Sequence, residues 1–182
     1  VVLVYWWGYI IVFIGIKLSD PGPVIFKQIR IGKKGKPFYC YKFRSMRINQ
    51  GKMKDKLVVN KKDYRIFKFG SFLRKTNIDE FPQFLNVLFG SMSVVGPRPH
   101  MKIEDVRLAK IIDKYRMRYW IKPGITGYAA ISGFRGGTED MSLIQDRINY
   151  DIKYIENWSF YLDIKICFLT AVETLFYRGK GY

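Results

Sequence analysis

The chain has 182 residues, with 32 Lys and Arg against 15 Asp and Glu, which gives a formal net charge of +17. This length suits one domain with a sizeable core, and the excess charge predicts an anionic partner: nucleic acid, a phosphorylated small molecule or an acidic membrane face. One histidine and two distant cysteines exclude a multi-histidine metal site and a CxxC-type site, and predict buried thiols in a reducing compartment.

The chain opens with an uncharged apolar run from Val1 to Ile16. A helix of that length reaches about 24 Å, which is short of the roughly 30 Å hydrocarbon core of a bilayer. Three interpretations stay open: half of a broken membrane helix, part of a longer span, or a buried soluble helix. Tyr5, Trp6 and Trp7 cluster in one turn, as in an interfacial aromatic belt, and favour a membrane-embedded segment.

A proline-rich stretch, SDPGP, ends this first element. Apolar and polar residues then alternate from Val24, and again over Phe38 to Arg44, with a glycine-flanked turn between them. This pattern predicts a β-hairpin. The lysine-rich stretch from Arg47 to Lys62 predicts a mobile loop. A short helix carrying Arg74 is expected to follow.

An adjacent acid pair, Asp79-Glu80, precedes the next apolar helix, which should end at Gly90. One interpretation is structural: Asp79 is the N-cap, Glu80 lies in the first turn, and both suit the helix dipole. The other is functional: an ionised Asp can attack phosphorus and form an acyl-phosphate, while a neighbouring carboxylate holds Mg²⁺. The two interpretations are compatible, and the spacing alone does not choose between them.

Basic residues near this pair form the candidate substrate-binding set. Two prolines stiffen the backbone around Arg98, which suits a bidentate phosphate clamp, although a plain turn is the alternative. Lys42 and Arg44 share one face of a predicted strand, where they line a phosphate site or a solvated edge. Arg74 precedes the acids by five residues, and Arg135 lies in a glycine-rich loop that could approach a nucleotide phosphate.

The remaining chain is predicted to be mostly helical. The stretches IEDVRLAKIIDKYRMRYW and MSLIQDRINYDIKYIENW have helical spacing, and a glycine-rich loop separates them. The last apolar element contains Asp163, Lys165 and Glu173, so it is expected on a membrane interface or in the core rather than across a bilayer. His100 is interpreted as a structural or supporting residue. The fold class is therefore a mostly helical α/β domain with a β-hairpin, interfacial amphipathic helices and a membrane-inserted N-terminal helix.

Several long stretches together resemble the bacterial sugar transferase family, the monotopic polyprenyl-phosphate phosphoglycosyl transferases. They are IDEFPQFLNVLFGSMSVVGPRPH, SDPGPVIFKQIRIG, YKFRSM and KPGITGYAAISGFRG with YIENWSFYLDIKI after it. The resemblance covers nearly the whole chain. It implies transfer of a sugar-1-phosphate, glucose or galactose, from a UDP-sugar to undecaprenyl phosphate with release of UMP. This is the first membrane step of polysaccharide or glycan assembly, exopolysaccharide biosynthesis included.

The resemblance also assigns roles. It implies that Asp79 is the nucleophile of a covalent phosphosugar intermediate, that Glu80 helps to hold the Mg²⁺ cofactor, and that Arg98 contacts phosphate. Lys42 and Arg74 match basic family positions near the active site. Ser91 replaces the acid usual in the family, and Ala130 and Ser132 replace Gln and Asn, which leaves the donor preference open.

The implied architecture places residues 1–18 in the membrane as half of a re-entrant helix. Residues 19–182 then form the catalytic domain at the cytoplasmic face of the bacterial inner membrane. Expected partners are the UDP-sugar, undecaprenyl phosphate and anionic lipids, without nucleic acid, and a homodimer is left open. Two competing hypotheses are a non-enzymatic membrane-surface or nucleic-acid-binding protein and a catalytically silent scaffold. Neither explains the intact acid pair and the proline-framed arginine.

Overall fold

The computed structural model describes residues 6–48, 63–134 and 140–176 of the chain. The described part is mostly helical with two small sheets, as the sequence predicts in outline. The helices are α1 Trp6–Ser19, α2 Lys68–Lys75, α3 Gln83–Leu88, α4 Lys102–Ile111, α5 Tyr128–Ile131, α6 Met141–Glu156 and α7 Phe160–Phe176. The strands are β1 Ile25–Ile31, β2 Pro37–Phe43, β3 Ser93–Val95 and β4 Gly124–Thr126. Among the described residues, no helix combines the length and apolar character needed to cross a bilayer.

The predicted hairpin is confirmed. Strands β1 and β2 pair antiparallel, with Phe26 opposite Lys42, and a 3₁₀ turn at Lys33–Gly35 joins them. The hairpin packs under α1 and α2, where Val12, Ile16 and Leu73 are buried in one apolar cluster. The predicted loop over Arg47 to Lys62 lies almost entirely outside the described residues, so it stays a prediction.

The second sheet was not predicted, because its strands have three residues each and their paired residues lie 31 positions apart. Strand β3 pairs parallel with β4, and Ser93 faces Gly124. The two backbones approach so closely that a Cβ on Gly124 would collide with the backbone nitrogen of Gly96. Glycine at this position therefore lets the arginine-bearing loop after β3 lie directly against β4.

The C-terminal half packs around α6. Asp140 caps this helix, since its side chain accepts a hydrogen bond from the backbone nitrogen of Ser142 (2.8 Å). Ile144 and Ile148 of α6 pack against Leu108 of α4. The predicted single helix over residues 103–120 is wrong in its second half. It breaks after α4, where Lys114 adopts a positive φ of 57°, and continues as a 3₁₀ segment, Tyr115–Trp120.

Candidate active site

The acid pair lies in a short turn rather than at a helix N-terminus. Ile78–Glu80 form one 3₁₀ turn, and α3 begins only at Gln83, with Pro82 as its N-cap and no side-chain cap. The predicted N-cap role of Asp79 is therefore wrong, because Asp79 lies in the 3₁₀ turn and Pro82 occupies the N-cap position of α3. The predicted end of α3 is confirmed, since Gly90 follows the C-cap with φ 78°.

The Asp79 carboxylate is buried but not bonded. The residue is 9% exposed, and none of the described residues donates a hydrogen bond to its side chain. Burial raises the pKa of Asp79 to about 6; Lys42 opposes this shift, and the neighbouring Glu80 charge adds to it. At neutral pH this side chain is thus a largely ionised, poorly solvated carboxylate, which is the state that a carboxylate nucleophile requires.

Its neighbour Glu80 is held by two cations. The Glu80 Oε1 atom accepts from Lys42 Nζ at 2.6 Å and from Arg98 Nη2 at 2.8 Å, while Oε2 lies 3.4 Å from Arg98 Nη1. Burial acts to raise the pKa of Glu80, but Arg98 and Lys42 outweigh it and hold that pKa below its usual range. Glu80 therefore stays ionised and orients both cations beside Asp79.

Arg98 projects from a loop in which four successive backbone carbonyls accept hydrogen bonds. We call residues 96–100 the arginine loop. Each carbonyl of residues 97–100 accepts a hydrogen bond from a different donor: Pro97 from Gly124 N (3.0 Å), Arg98 from Arg118 Nη2, Pro99 from Arg30 Nη1 (3.0 Å) and His100 from Ile31 N (3.1 Å). The loop backbone is thus fixed from the hairpin, from β4 and from the 3₁₀ segment, and it presents a side chain that is 37% exposed.

A buried polar cluster supports the arginine loop from below. Arg118 Nε donates to Asp151 Oδ2 at 3.0 Å, and both side chains are at most 5% exposed. Arg118 Nη1 also donates to the Tyr115 hydroxyl (2.9 Å), which in turn donates to Asp105 Oδ1 (2.8 Å). His100 Nδ1 lies 2.8 Å from the same hydroxyl. Burial, followed by the charge of Arg118, lowers the pKa of His100 well below its usual value, so His100 is neutral and structural.

Asn86 joins the helix after the acid pair to the strand that carries Lys42. Its Nδ2 donates to the Tyr39 carbonyl (2.7 Å) and to Ser91 Oγ (3.1 Å), and its Oδ1 accepts from the Tyr41 nitrogen (3.0 Å). The side chain thereby satisfies the outer edge of β2 as a third strand would. Ser91, where the family usually has an acid, is a partner in this contact.

The three other basic residues of the predicted site, Arg74, Arg44 and Arg135, differ in where they lie. Arg74 is close enough to Asp79 for its charge to oppose the effect of burial on that pKa, and its Nη1 lies 3.6 Å from Met46 Sδ. Arg44 lies elsewhere: it is 3% exposed, forms an ion pair with Asp20 and donates to the Pro23 carbonyl (2.6 Å). It therefore secures the chain after α1. Arg135 lies outside the described residues.

The donor set suits a magnesium ion that substrate helps to hold. Mg²⁺ binds proteins through one or two carboxylates and completes its shell with water and substrate phosphates. Asp79 and Glu80 offer two adjacent carboxylates, and no group of three or more His, Cys, Asp or Glu side chains gathers anywhere in the described ranges. An ion here would share Glu80 with Lys42 and Arg98, so substrate oxygens would have to supply most of its ligands.

The sequence interpretation missed the buried cluster and the Asn86 contact. One signal was available for the cluster: Asp151 follows Ile144 and Ile148 at helical spacing, so it interrupts an apolar stripe with a charge. A charge on such a stripe indicates a buried partner. That partner, Arg118, lies 33 positions away, and local pattern does not identify it.

Comparison with known proteins agrees with the motifs. A family model described as bacterial sugar transferase matches residues 1–177. The chain is 49% identical over 162 residues to the UDP-glucose:undecaprenyl-phosphate glucose-1-phosphate transferase of Xanthomonas campestris pv. campestris, covering 89% of this chain and 34% of the relative. It is 44% identical over 170 residues to the exopolysaccharide production protein PSS of Rhizobium leguminosarum bv. phaseoli, covering 92% and 84%.

A third relative carries a different sugar in its name. The chain is 42% identical over 171 residues to the galactosyl transferase CpsE of Streptococcus agalactiae serotype III, covering 88% of this chain and 36% of the relative. The chain thus spans about a third of the length of the Xanthomonas and Streptococcus relatives. The resemblance noted from the sequence is confirmed: the chain belongs to the bacterial sugar transferase family.

Proposed function

We propose that this chain is the catalytic domain of a phosphoglycosyl transferase. In this reaction a hexose-1-phosphate, glucose or galactose, passes from a UDP-sugar to undecaprenyl phosphate. The names of the relatives support both substrates and leave the hexose open between glucose and galactose. The observation that carries the proposal is the Asp79 carboxylate, which is buried and receives no hydrogen bond from the described residues, beside an ionised Glu80 held by Lys42 and Arg98.

The chemistry has two balanced steps. An Asp79 oxygen attacks the sugar-bearing phosphorus, the bond from that phosphorus to the bridging oxygen breaks, and UMP leaves with that oxygen. A phosphate oxygen of the acceptor then attacks the same phosphorus and releases the Asp79 carboxylate, which gives the polyprenyl diphosphate sugar. Arg98 and Lys42 would hold the substrate phosphates and offset the negative charge that develops on them.

Glu80 would hold Mg²⁺, which when bound would reduce the repulsion between the anionic nucleophile, Asp79, and an anionic diphosphate. Lys42 and Arg98 would keep Glu80 ionised. Burial of Asp79 would keep water away from its carboxylate.

A membrane location is part of the proposal. Helix α1 leaves many of its apolar side chains uncovered, with Trp7 54% and Leu18 83% exposed, while Val12 and Ile16 are the buried ones among residues 7–19, whose burial the structure describes. Such a surface beside a net charge of +17 suits insertion into an anionic leaflet. We assign residues 1–18 to the membrane and residues 19–182 to the catalytic domain at the cytoplasmic face, close to the headgroups where the acceptor phosphate lies.

The test is UMP release by wild-type protein and Asp79→Asn, over a panel of UDP-sugars with undecaprenyl phosphate and Mg²⁺. Without acceptor, wild-type protein should release about one equivalent of UMP in a burst, the sign of a covalent intermediate. Asp79→Asn should lose at least about 10⁴-fold in rate, because the nucleophile is gone. Asp113→Asn makes the same change at an exposed acid and should behave as wild type. Near-normal turnover by Asp79→Asn would refute the assignment.

A further inference from the structure

A groove lies between β3 and α7. We call it the β3–α7 groove. It has a volume of about 430 Å³, within the size range of ligand pockets. Apolar side chains supply most of its lining: Val94 and Val95 from β3, and Phe160, Ile164 and Phe168 from α7, with Cys167 beside them.

The α7 side of the groove is a continuous apolar stripe. Phe160, Ile164 and Phe168 are spaced four residues apart, so they lie in one row along the helix. They are 74%, 52% and 66% exposed, whereas Ile166 on the opposite side of α7 is fully buried in the core. Helix α7 therefore has two apolar faces, one packed on the domain and one left open on the groove, and an open apolar face of this size indicates a binding surface.

The one acidic residue of the groove does not make it polar. Asp163 Oδ1 accepts from the Tyr154 hydroxyl at 2.7 Å, and Oδ2 lies 3.3 Å from Trp158 Nε1. Both carboxylate oxygens are thus satisfied by protein donors. The other side chains that line the groove are mostly apolar, so they would contact an elongated apolar ligand through van der Waals interactions.

Strand β3, which forms one wall of the groove, leads directly into the arginine loop of the candidate active site. Val95 precedes Arg98 by three residues, a distance of at most about 10 Å along an extended chain. The guanidinium of Arg98 reaches Glu80 at 2.8 Å. A cationic site therefore lies within three residues of one wall of an apolar groove, an arrangement complementary to an amphiphile with an anionic head and a long hydrocarbon tail.

We propose that the β3–α7 groove binds the phosphate-proximal part of the polyprenyl chain of the acceptor, while Arg98 and Lys42 hold its phosphate. This inference rests on the proposed function, because it takes the acceptor from there. It adds a location for the chain and a role for α7, which is selection of long polyprenyl phosphates over short ones. An acyl chain of a membrane phospholipid and a further segment of the protein are the competing occupants.

The first test fills the groove without removing apolar surface. Ile164→Trp should raise the acceptor KM for undecaprenyl phosphate about tenfold, the loss expected when one apolar contact region is blocked. The KM for a two-isoprene phosphate in the same detergent should change much less, because its tail is too short to use the groove. Ile103→Trp enlarges an exposed isoleucine on α4 and is the matched control. The UMP burst without acceptor reports that each variant is folded.

Two results of this test would overturn the proposal. One is an unchanged KM for undecaprenyl phosphate in Ile164→Trp. The other is an equal rise for the long and the short acceptor, which would assign the effect to the phosphate site. If wild-type protein gives no UMP burst, the proposed function fails instead, and the second test still decides the groove.

The second test needs no turnover. Cys167 lines the groove and is exposed, while Cys40 is 3% exposed, so maleimide should modify Cys167 selectively. Undecaprenyl phosphate should slow this modification at least about fivefold, because a bound polyprenyl chain would cover the Cys167 thiol. Phosphatidylglycerol at the same mole fraction and inorganic phosphate should not. Equal protection by phosphatidylglycerol would identify a lipid-facing surface, and no protection by any amphiphile would refute the groove as a tail site.

Discussion

The two sides of the candidate site are built in different ways. The backbone of the turn that carries Asp79 and Glu80 is closed by local hydrogen bonds: the Glu80 nitrogen donates to the Asn77 carbonyl, and the Phe81 nitrogen to the Ile78 carbonyl, both at 3.1 Å. The backbone of the arginine loop is held by donors 20 to 69 positions away in the chain. The backbone that carries the reactive carboxylate thus forms locally, whereas the backbone that carries Arg98 is positioned by the whole fold.

The largest stability effect should follow from breaking the buried support of the arginine loop. Asp151→Asn leaves the Arg118 guanidinium buried without its counter-charge, and removing one partner of such a pair costs about 3–5 kcal/mol of unfolding free energy. For a domain of this size the thermal midpoint should fall by roughly 6–20 °C. Thermal unfolding followed by circular dichroism measures this shift.

The control for that prediction is a substitution in the arginine loop itself. Arg98→Gln removes a charge that is 37% exposed and points at the site, so its thermal midpoint should stay within about 3 °C of wild type. Its UMP release should nevertheless fall about 100-fold, as expected when a group that stabilises the transition state is lost. Equal destabilisation by the two substitutions would contradict the distinction between the loop's support and its working side chain.

The contrast between local and long-range contacts explains which features could be predicted from the sequence. The hairpin and helices α2, α6 and α7 follow from short patterns, and the structure has them. The grouping of Lys42 and Arg98 with the acid pair follows from the family resemblance, and the structure brings their side chains onto Glu80. Arg44 misled the prediction because alternation along a strand reports a face and not a partner. Its partner, Asp20, lies 24 positions earlier, in the turn after α1.

The same limit applies to the features that were missed. Strands of three residues carry too little alternation to be recognised, so the pairing of β3 with β4 was invisible. The break after α4 depends on a positive φ at Lys114, a residue type that rarely adopts one. The N-cap prediction for Asp79 failed because a 3₁₀ turn and a helix start share the same residue preferences.

A smaller effect is expected at the contact that joins the two sides. Asn86→Leu keeps a similar volume but leaves the Tyr39 carbonyl and the Tyr41 nitrogen without their partner, which should cost about 2 kcal/mol of unfolding free energy. Because β2 also carries Lys42, the rate of UMP release should fall as well. Urea unfolding and the burst assay measure the two effects. Asn149→Leu, at an exposed position of α6, should change the unfolding free energy by no more than about 0.5 kcal/mol.

The last effect concerns the protonation of Asp79 and is spread over a range of pH. Its carboxylate must be ionised to attack phosphorus, and burial raises its pKa to about 6, so the burst rate should fall about tenfold per pH unit below that value and level off above it. The same group links pH to stability. Between the pKa of an unfolded Asp, about 3.9, and about 6, the folded state keeps a proton that the unfolded state has lost. Stability therefore falls as pH rises through this window, by about 3 kcal/mol at most.

Asp79→Asn separates these linked effects from every other titration in the protein. The variant cannot lose that proton, so its unfolding free energy relative to wild type should rise between about pH 4 and pH 6 and then stay constant. Glu80 cancels from this difference, because wild type and variant both carry it and Arg98 and Lys42 keep it ionised in the folded state of each. A burst-rate midpoint near 4, together with a pH-independent difference between variant and wild type, would mean that the turn leaves Asp79 as well solvated as a surface carboxylate. The local side of the site would then lack the one property, burial of its carboxylate, that sets it apart from an ordinary exposed turn.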